Sequence, residues 1–212
     1  MRPLLAAPAR SGGRRRAVRA LRGRGRRDRR SIERSVGVKL VASRRWAAFG
    51  LAVVVFVLDR GIKAMLTGPL ELPAKGVIWL LPVFDLRYTQ NLGVSLGMLT
   101  ASSEAQRWGL VGLTAVIAAG VFYWMLRERN KLDLAGLGLV LGGALGNIWD
   151  RASYGYVIDY ADLHFGTWRP FLIFNLADAA ITIGVLILLA RSLLLREKPA
   201  KTASGDAATE NL

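Results

Sequence analysis

The chain has 212 residues, 52% of them hydrophobic, yet carries a formal charge of +15. An apolar body with that much charge points to a small helical membrane protein with polar ends, not a soluble domain. There is no Cys, one His and no HExxH pattern, which excludes disulfides, thiolate nucleophiles and the usual zinc sites; no metal or organic cofactor is expected.

The charge lies at the start. Sixteen Lys and Arg fall in residues 1–45 against Asp28 and Glu33, and the remainder is near neutral. This stretch is rich in Arg, Gly, Ser and Ala without an apolar period, so it is predicted to be disordered. RGRGRR at 22–27 is the kind of run that touches nucleic acid. We read it instead as a cytoplasmic tail near anionic lipid heads, or as an extension from a misassigned start, with no nucleic acid expected. It has no short cleavable apolar core and is not a signal peptide.

Four apolar segments follow, at 46–66, 108–126, 132–149 and 171–191, each near the ~20 residues that a spanning helix needs. The third is the shortest and rich in glycine, so it must pack among the others. Between the first and second, residues 67–107 hold Pro69, Pro73 and Pro82 and the β-leaning pieces VIWLLPVFDLRYT and VSLGML. They predict a small sheet or hairpin at the membrane surface. Residues 150–170 are expected as an outer loop. Lys and Arg cluster before segment one, in RERNK at 127–131 and after segment four, which places all three on the cytoplasmic side. The expected fold is an all-α integral membrane protein with four transmembrane helices and an extracytoplasmic β-rich region between helices 1 and 2. Its parts are a disordered extension at 1–45, a membrane domain at 46–195 and a disordered cytoplasmic tail at 196–212.

Two carboxylates stand where lipid is expected. Asp178 lies inside FLIFNLADAAITIGVLILLA, and Asp159 lies just upstream in GYVIDYADL. A charge near hydrocarbon costs roughly 2.5–3.5 kcal/mol even on lenient insertion scales, so it marks a functional site. Two adjacent carboxyls share one proton, one acting as base on water and the other as acid. Asp162 is the spare candidate. A lone Asp178 also suits a proton relay in a transporter, and Gly-rich helices suit a non-catalytic assembly factor; Asp159 tips the balance to a hydrolase.

Supporting groups sit at helical or turn spacing. Asp59 and Lys63 are four apart and able to pair, as a structural snorkelling pair or as substrate contacts. Asn91 beside Gly93 makes a tight turn. Asn147 and Arg151 share a face and suit a substrate backbone or the carboxylate charge. Asn175, three before Asp178, is placed to orient it. Asp150 is read as pairing locally with Arg151, His164 as a surface residue, and Trp168 as an interfacial anchor.

Taken in order, DRGIK (59–63), NLGVSLG (91–97), GGALGNIWDR (142–151), VIDY (157–160) and FNLADAAITIG (174–184) resemble the signature blocks of prolipoprotein signal peptidase, or signal peptidase II. The resemblance covers roughly residues 46–195. It implies a multi-pass aspartic endopeptidase of the bacterial inner membrane. Such enzymes remove the signal peptide from diacylglyceryl-modified prolipoproteins, cleaving N-terminal to the lipidated Cys. Carried over, the catalytic dyad is Asp159 and Asp178, supported by Asp59, Lys63, Asn91, Gly93, Asn147, Arg151 and Asn175. The implied partners are lipid-modified prolipoproteins, membrane lipids and globomycin-type cyclic peptides. The chain departs from the pattern at Arg60, where Gln is usual, and at Val94, Ser95 and Leu96.

Overall fold

The computed structural model describes residues 41–93 and 104–194. The chain divides into Met1–Ala47 and Ala48–Leu212; of the first unit only 41–47 are described, and they are helical. The expected tail at 196–212, the Arg-rich stretch before 41 and the piece VSLGML lie outside the described residues. The first helix, α1, occupies 41–67, so helix is already present five residues before the boundary read from composition.

After α1 come a short α2 (Leu72–Lys75), strands β1 (Val77–Leu81) and β2 (Phe84–Asn91), α3 (Glu104–Arg127), α4 (Lys131–Tyr154), β3 (Val157–Leu163) and α5 (Leu176–Leu194). Among the described residues, α3, α4 and α5 are long and apolar enough to cross a membrane. The first apolar segment lies within α1. The surfaces of these helices are apolar: Val53, Val54 and Val57 on α1, Val116 and Ile117 on α3, and Leu186 and Leu189 on α5 are all exposed. Side chains that would be a liability in water are at home in hydrocarbon.

Helix α4 is the one the others pack on. Its apolar window is 56% buried, against 11% for α3 and 17% for α5. It is as long as α3, 24 residues each, and so is not the shortest span. Lipid offers no hydrophobic drive between helices, so close contact of small residues must supply the attraction. A Cβ added at Gly142 would lie 2.5 Å from the Ala52 carbonyl oxygen on α1, and one at Gly136 2.9 Å from the Gly184 carbonyl oxygen on α5. Gly142→Val should therefore lower stability by about 1–3 kcal/mol in detergent unfolding. Gly112→Val on α3 is the control, since an added Cβ there meets nothing within 4 Å. Equal midpoints for the two variants would refute this packing.

The three strands form one antiparallel sheet in the order β1-β2-β3. Val77, Ile78 and Trp79 suit an extended chain, and Pro82 turns it back into β2. The sheet expected between helices 1 and 2 is present as β1 and β2, and the stretch 150–170, expected as loop, supplies its third strand. β3 is buried at six of its seven positions, so it lacks the alternation that reveals a strand. It pairs with β2 as Thr89↔Asp159, Gln90↔Ile158 and Asn91↔Val157.

A further correction concerns the fourth segment. FLIF at 171–174 is not helix. Phe174 bridges Ala161 of β3, with N–H···O distances of 2.7 Å and 3.1 Å between the two residues. This bridge pins the start of α5 beside the strand that carries Asp159.

Candidate active site

Helix α5 begins with a complete set of bonds to its first amides. Asn175 is the N-cap: its side-chain oxygen accepts the N–H of Asp178 at 2.8 Å, and its own N–H points back at Asp178 Oδ2 at 3.4 Å. This reciprocal arrangement is a capping box with Asp in the third position. The N–H of Leu176 reaches the Tyr160 hydroxyl at 3.2 Å, and that of Ala177 reaches Asp59 Oδ1 at 3.1 Å. A helix start normally leaves such groups unpartnered. Here β3 and α1 supply the acceptors, so Asp178 sits on a rigid first turn.

Both acids converge on a cluster of asparagines. Asn175 Nδ2 donates to Asp159 Oδ1 at 2.6 Å, and Asn91 Nδ2 donates to Asp159 Oδ2 at 3.0 Å. Asn147 Nδ2 donates to Asp178 Oδ1 at 2.8 Å, while its own oxygen accepts from Asn175 Nδ2 at 3.4 Å. Two carboxyls are thus joined through shared amide side chains. Asn175 bonds Asp178 as its spacing predicts; in addition its side-chain amide holds Asp159, and Asn147 holds the Asp178 carboxylate.

Asn91 reaches Asp159 because a turn presents it. Its Oδ1 accepts the Gly93 N–H at 2.8 Å, and Gly93 has φ 81°, a region that glycine enters without strain. Asp159 is 2% exposed, and Asp178 is half-buried. Burial pushes the Asp159 carboxyl up to about 6; the Asn91 bond opposes this, the Asp178 charge adds to it, and the Asn175 bond and the Lys63 charge oppose it.

Arg151 lies against Gly93: a Cβ there would be 3.6 Å from its Nε and Nη2. Among the described residues its buried Nε finds no acceptor. The sequence singled out Asn147 and Arg151 as sharing a face, and both border this site. Arg107, which it missed, donates to the carbonyls of Arg151 at 2.8 Å and of Ala152, closing the C-terminal end of α4.

Asp162, His164 and Asp150 depart from their expected settings. Asp162 is buried with Arg87 at 3.1 Å and Arg169 at 3.2 Å, which makes it an ion-pair anchor and no spare catalyst. His164 is 7% exposed and lies 2.8 Å from Asp85, so it is not a surface residue. Asp150 does not pair with Arg151: it meets Lys63 at 2.7 Å and also Arg60, whose guanidinium stands over the Trp149 and Tyr154 rings. Asp59 and Lys63 pair at 2.7 Å, as their spacing predicts, and are both 0% exposed. No cluster of three or more His, Asp or Glu able to hold a metal occurs among the described residues.

A family model described as signal peptidase (SPase) II matches residues 51–194. The chain is 49% identical over 180 residues to a lipoprotein signal peptidase of Rhizorhabdus wittichii, spanning 85% of this chain and 98% of that one. It is 54% identical over 152 residues to a lipoprotein signal peptidase of Sphingopyxis alaskensis, spanning 71% and 88%. A solved structure described as a bacterial membrane enzyme, determined by the in meso method at 1.9 Å, superposes with a TM-score of 0.61 at 26% identity, over 72% of this chain and 94% of that one.

Proposed function

The chain belongs to the signal peptidase II family, and we propose that Asp159 and Asp178 are its catalytic dyad. It is a multi-pass membrane aspartic peptidase that removes the signal peptide from prolipoproteins. The observation that carries the dyad is the chain of bonds from Asn91 through Asp159, Asn175 and Asn147 to Asp178.

In this reading Asp159, with its raised pKa, holds the shared proton. Asp178, half-buried, takes a proton from water as the oxygen attacks the scissile carbonyl. Asp159 then protonates the leaving amine, and the peptide C–N bond breaks. To the Arg151 Nε–H, which has no acceptor among the described residues, we assign the substrate carbonyl or the developing oxyanion. Asn91, Gly93, Asn147 and Asn175 hold the acids in place. The substrate is a diacylglyceryl-modified precursor cut just before its lipidated Cys. The Lys and Arg distribution supports termini in the cytoplasm and a dyad toward the outer leaflet. Globomycin-type cyclic peptides would occupy the same site, and membrane lipids surround it.

The test is purified protein in detergent with a prolipoprotein in two forms, with and without the diacylglycerol on its Cys. Only the modified form should shift on a gel. Equal cleavage of both forms would overturn the substrate assignment.

The pH dependence has a definite sign. A raised carboxyl keeps its proton to higher pH, so the one-proton pair persists up to about pH 6 and is lost above it. The value of kcat/KM, which reports the free enzyme, should fall as pH rises through about 6. A profile flat from about pH 5 to 8 would remove Asp159 as the acid.

A further inference from the structure

Behind the dyad lies a second group of charges that touches neither reacting carboxyl directly. Lys63 Nζ stands 2.7 Å from Asp59 Oδ2 and 2.7 Å from Asp150 Oδ2. All three side chains are 0% exposed. Each acid has a further bond, to a backbone amide in another element. Asp59 Oδ1 accepts the N–H of Ala177, the residue immediately before Asp178. Asp150 Oδ2 accepts the N–H of Ile158 at 3.2 Å, the residue immediately before Asp159. The two halves of the group are thus mirror images in function: one acid, one amide, one step from one dyad member.

We propose that Lys63 is the centre of a positioning clamp that sets the separation of the two dyad carboxyls through the backbone amides preceding them. The inference rests on the dyad reading above. Lys63 ties α1 to α4 by joining Asp59 on its own helix to Asp150 on α4, and those carboxylates tie α1 to the first turn of α5 and α4 to β3. Gly146 makes room for it, since a Cβ there would lie 2.7 Å from Asp59 Oδ2. Arg60 gives Asp150 a second cation, so two acids face two bases and the group is neutral. A buried ion set of this kind contributes little net stability, but it fixes geometry because each member loses its partner on any displacement. Separation matters here because a misplacement of ~1 Å at reacting groups costs about 100-fold in rate.

A positioning role differs from general stabilisation in what it moves. Lys63→Met should lower kcat about 100-fold with KM nearly unchanged, because Lys63 reaches no substrate. It should also move the fall in kcat/KM to higher pH. The groups around Asp159 are Asp178, which raises its pKa, Asn91, Asn175 and Lys63, which lower it, and the Arg151 guanidinium, which also interacts with its charge; losing Lys63 removes one of the groups that lower it.

Lys63→Met leaves Asp59 without its cation and can fail to fold. The second variant is therefore Asp59→Asn with Lys63→Met. It keeps an oxygen for Ala177 and leaves Asp150 with Arg60, yet has no cation joining the two sides. Folded double variant with kcat at least about 10-fold down and the pH limb raised supports the clamp. Wild-type kcat and an unmoved limb in the folded double variant overturn it. Asp178→Asn runs in the same assay: if it cleaves, the dyad reading itself falls, whereas a dead Asp178→Asn beside a wild-type-like double variant removes the clamp alone.

Discussion

Asp178→Asn should abolish cleavage, by about 10⁴-fold, the upper range for losing a positioned acid or base. The variant should nevertheless fold. An Asn in its place keeps an oxygen for Asn147 Nδ2, the 2.8 Å bond, and gives up only the long 3.4 Å contact with the Asn175 N–H. The stability cost should stay below about 1 kcal/mol. Asp159→Asn is equally inactive but structurally harsher. Both Asp159 oxygens accept amide donors, from Asn175 and Asn91, so an Asn must point its own donor at one of them. A loss of about 1–3 kcal/mol follows from that unsatisfied contact. Gel-shift assays on the lipid-modified precursor, with thermal unfolding of each variant, read both effects. Cleavage by a folded Asp178→Asn would end the assignment.

What could be read in the sequence was what is local. Asp178 was conspicuous because it interrupts an apolar run, and Asp59 and Lys63 because helix geometry brings positions four apart together. The spans were legible as apolar stretches, except where an apolar stretch is not helix. FLIF looks continuous with α5, but the N-cap Asn175 ends the extended part, and Phe174 pairs with β3. That N-cap was visible as an Asn three residues before an acid, a spacing that gives the bond between the two but was not taken as the start of the helix. β3 was hidden because a strand buried on both faces has no period to detect.

The charge partners failed for a different reason. Asp150 and Arg151 are adjacent in sequence, yet neighbours on a helix point about 100° apart and do not face each other. The actual partners of Asp150 are Lys63 and Arg60, on a helix far away along the chain. His164 finds Asp85 only because β2 and β3 pair Phe84 with Leu163. Long-range pairing of this kind depends on sheet register and helix packing, and no spacing rule reports it.

Asn175 offers the sharpest test of how fold and chemistry share one residue. Its oxygen caps α5 and its amide holds Asp159 at 2.6 Å. Asn175→Ala loses both: about 1 kcal/mol of stability from the cap, and about 100-fold or more in kcat from a freed Asp159. Asn175→Ser separates the two, because Ser caps a helix about as well as Asn but has no amide to reach Asp159. The Ser variant should regain the capping stability and remain about 100-fold slow. Its kcat/KM should also fall at higher pH than wild type, since the bond that lowers the Asp159 pKa is gone. If Ser restores the wild-type rate, Asn175 is a cap and nothing more, and Asn91 alone must hold Asp159.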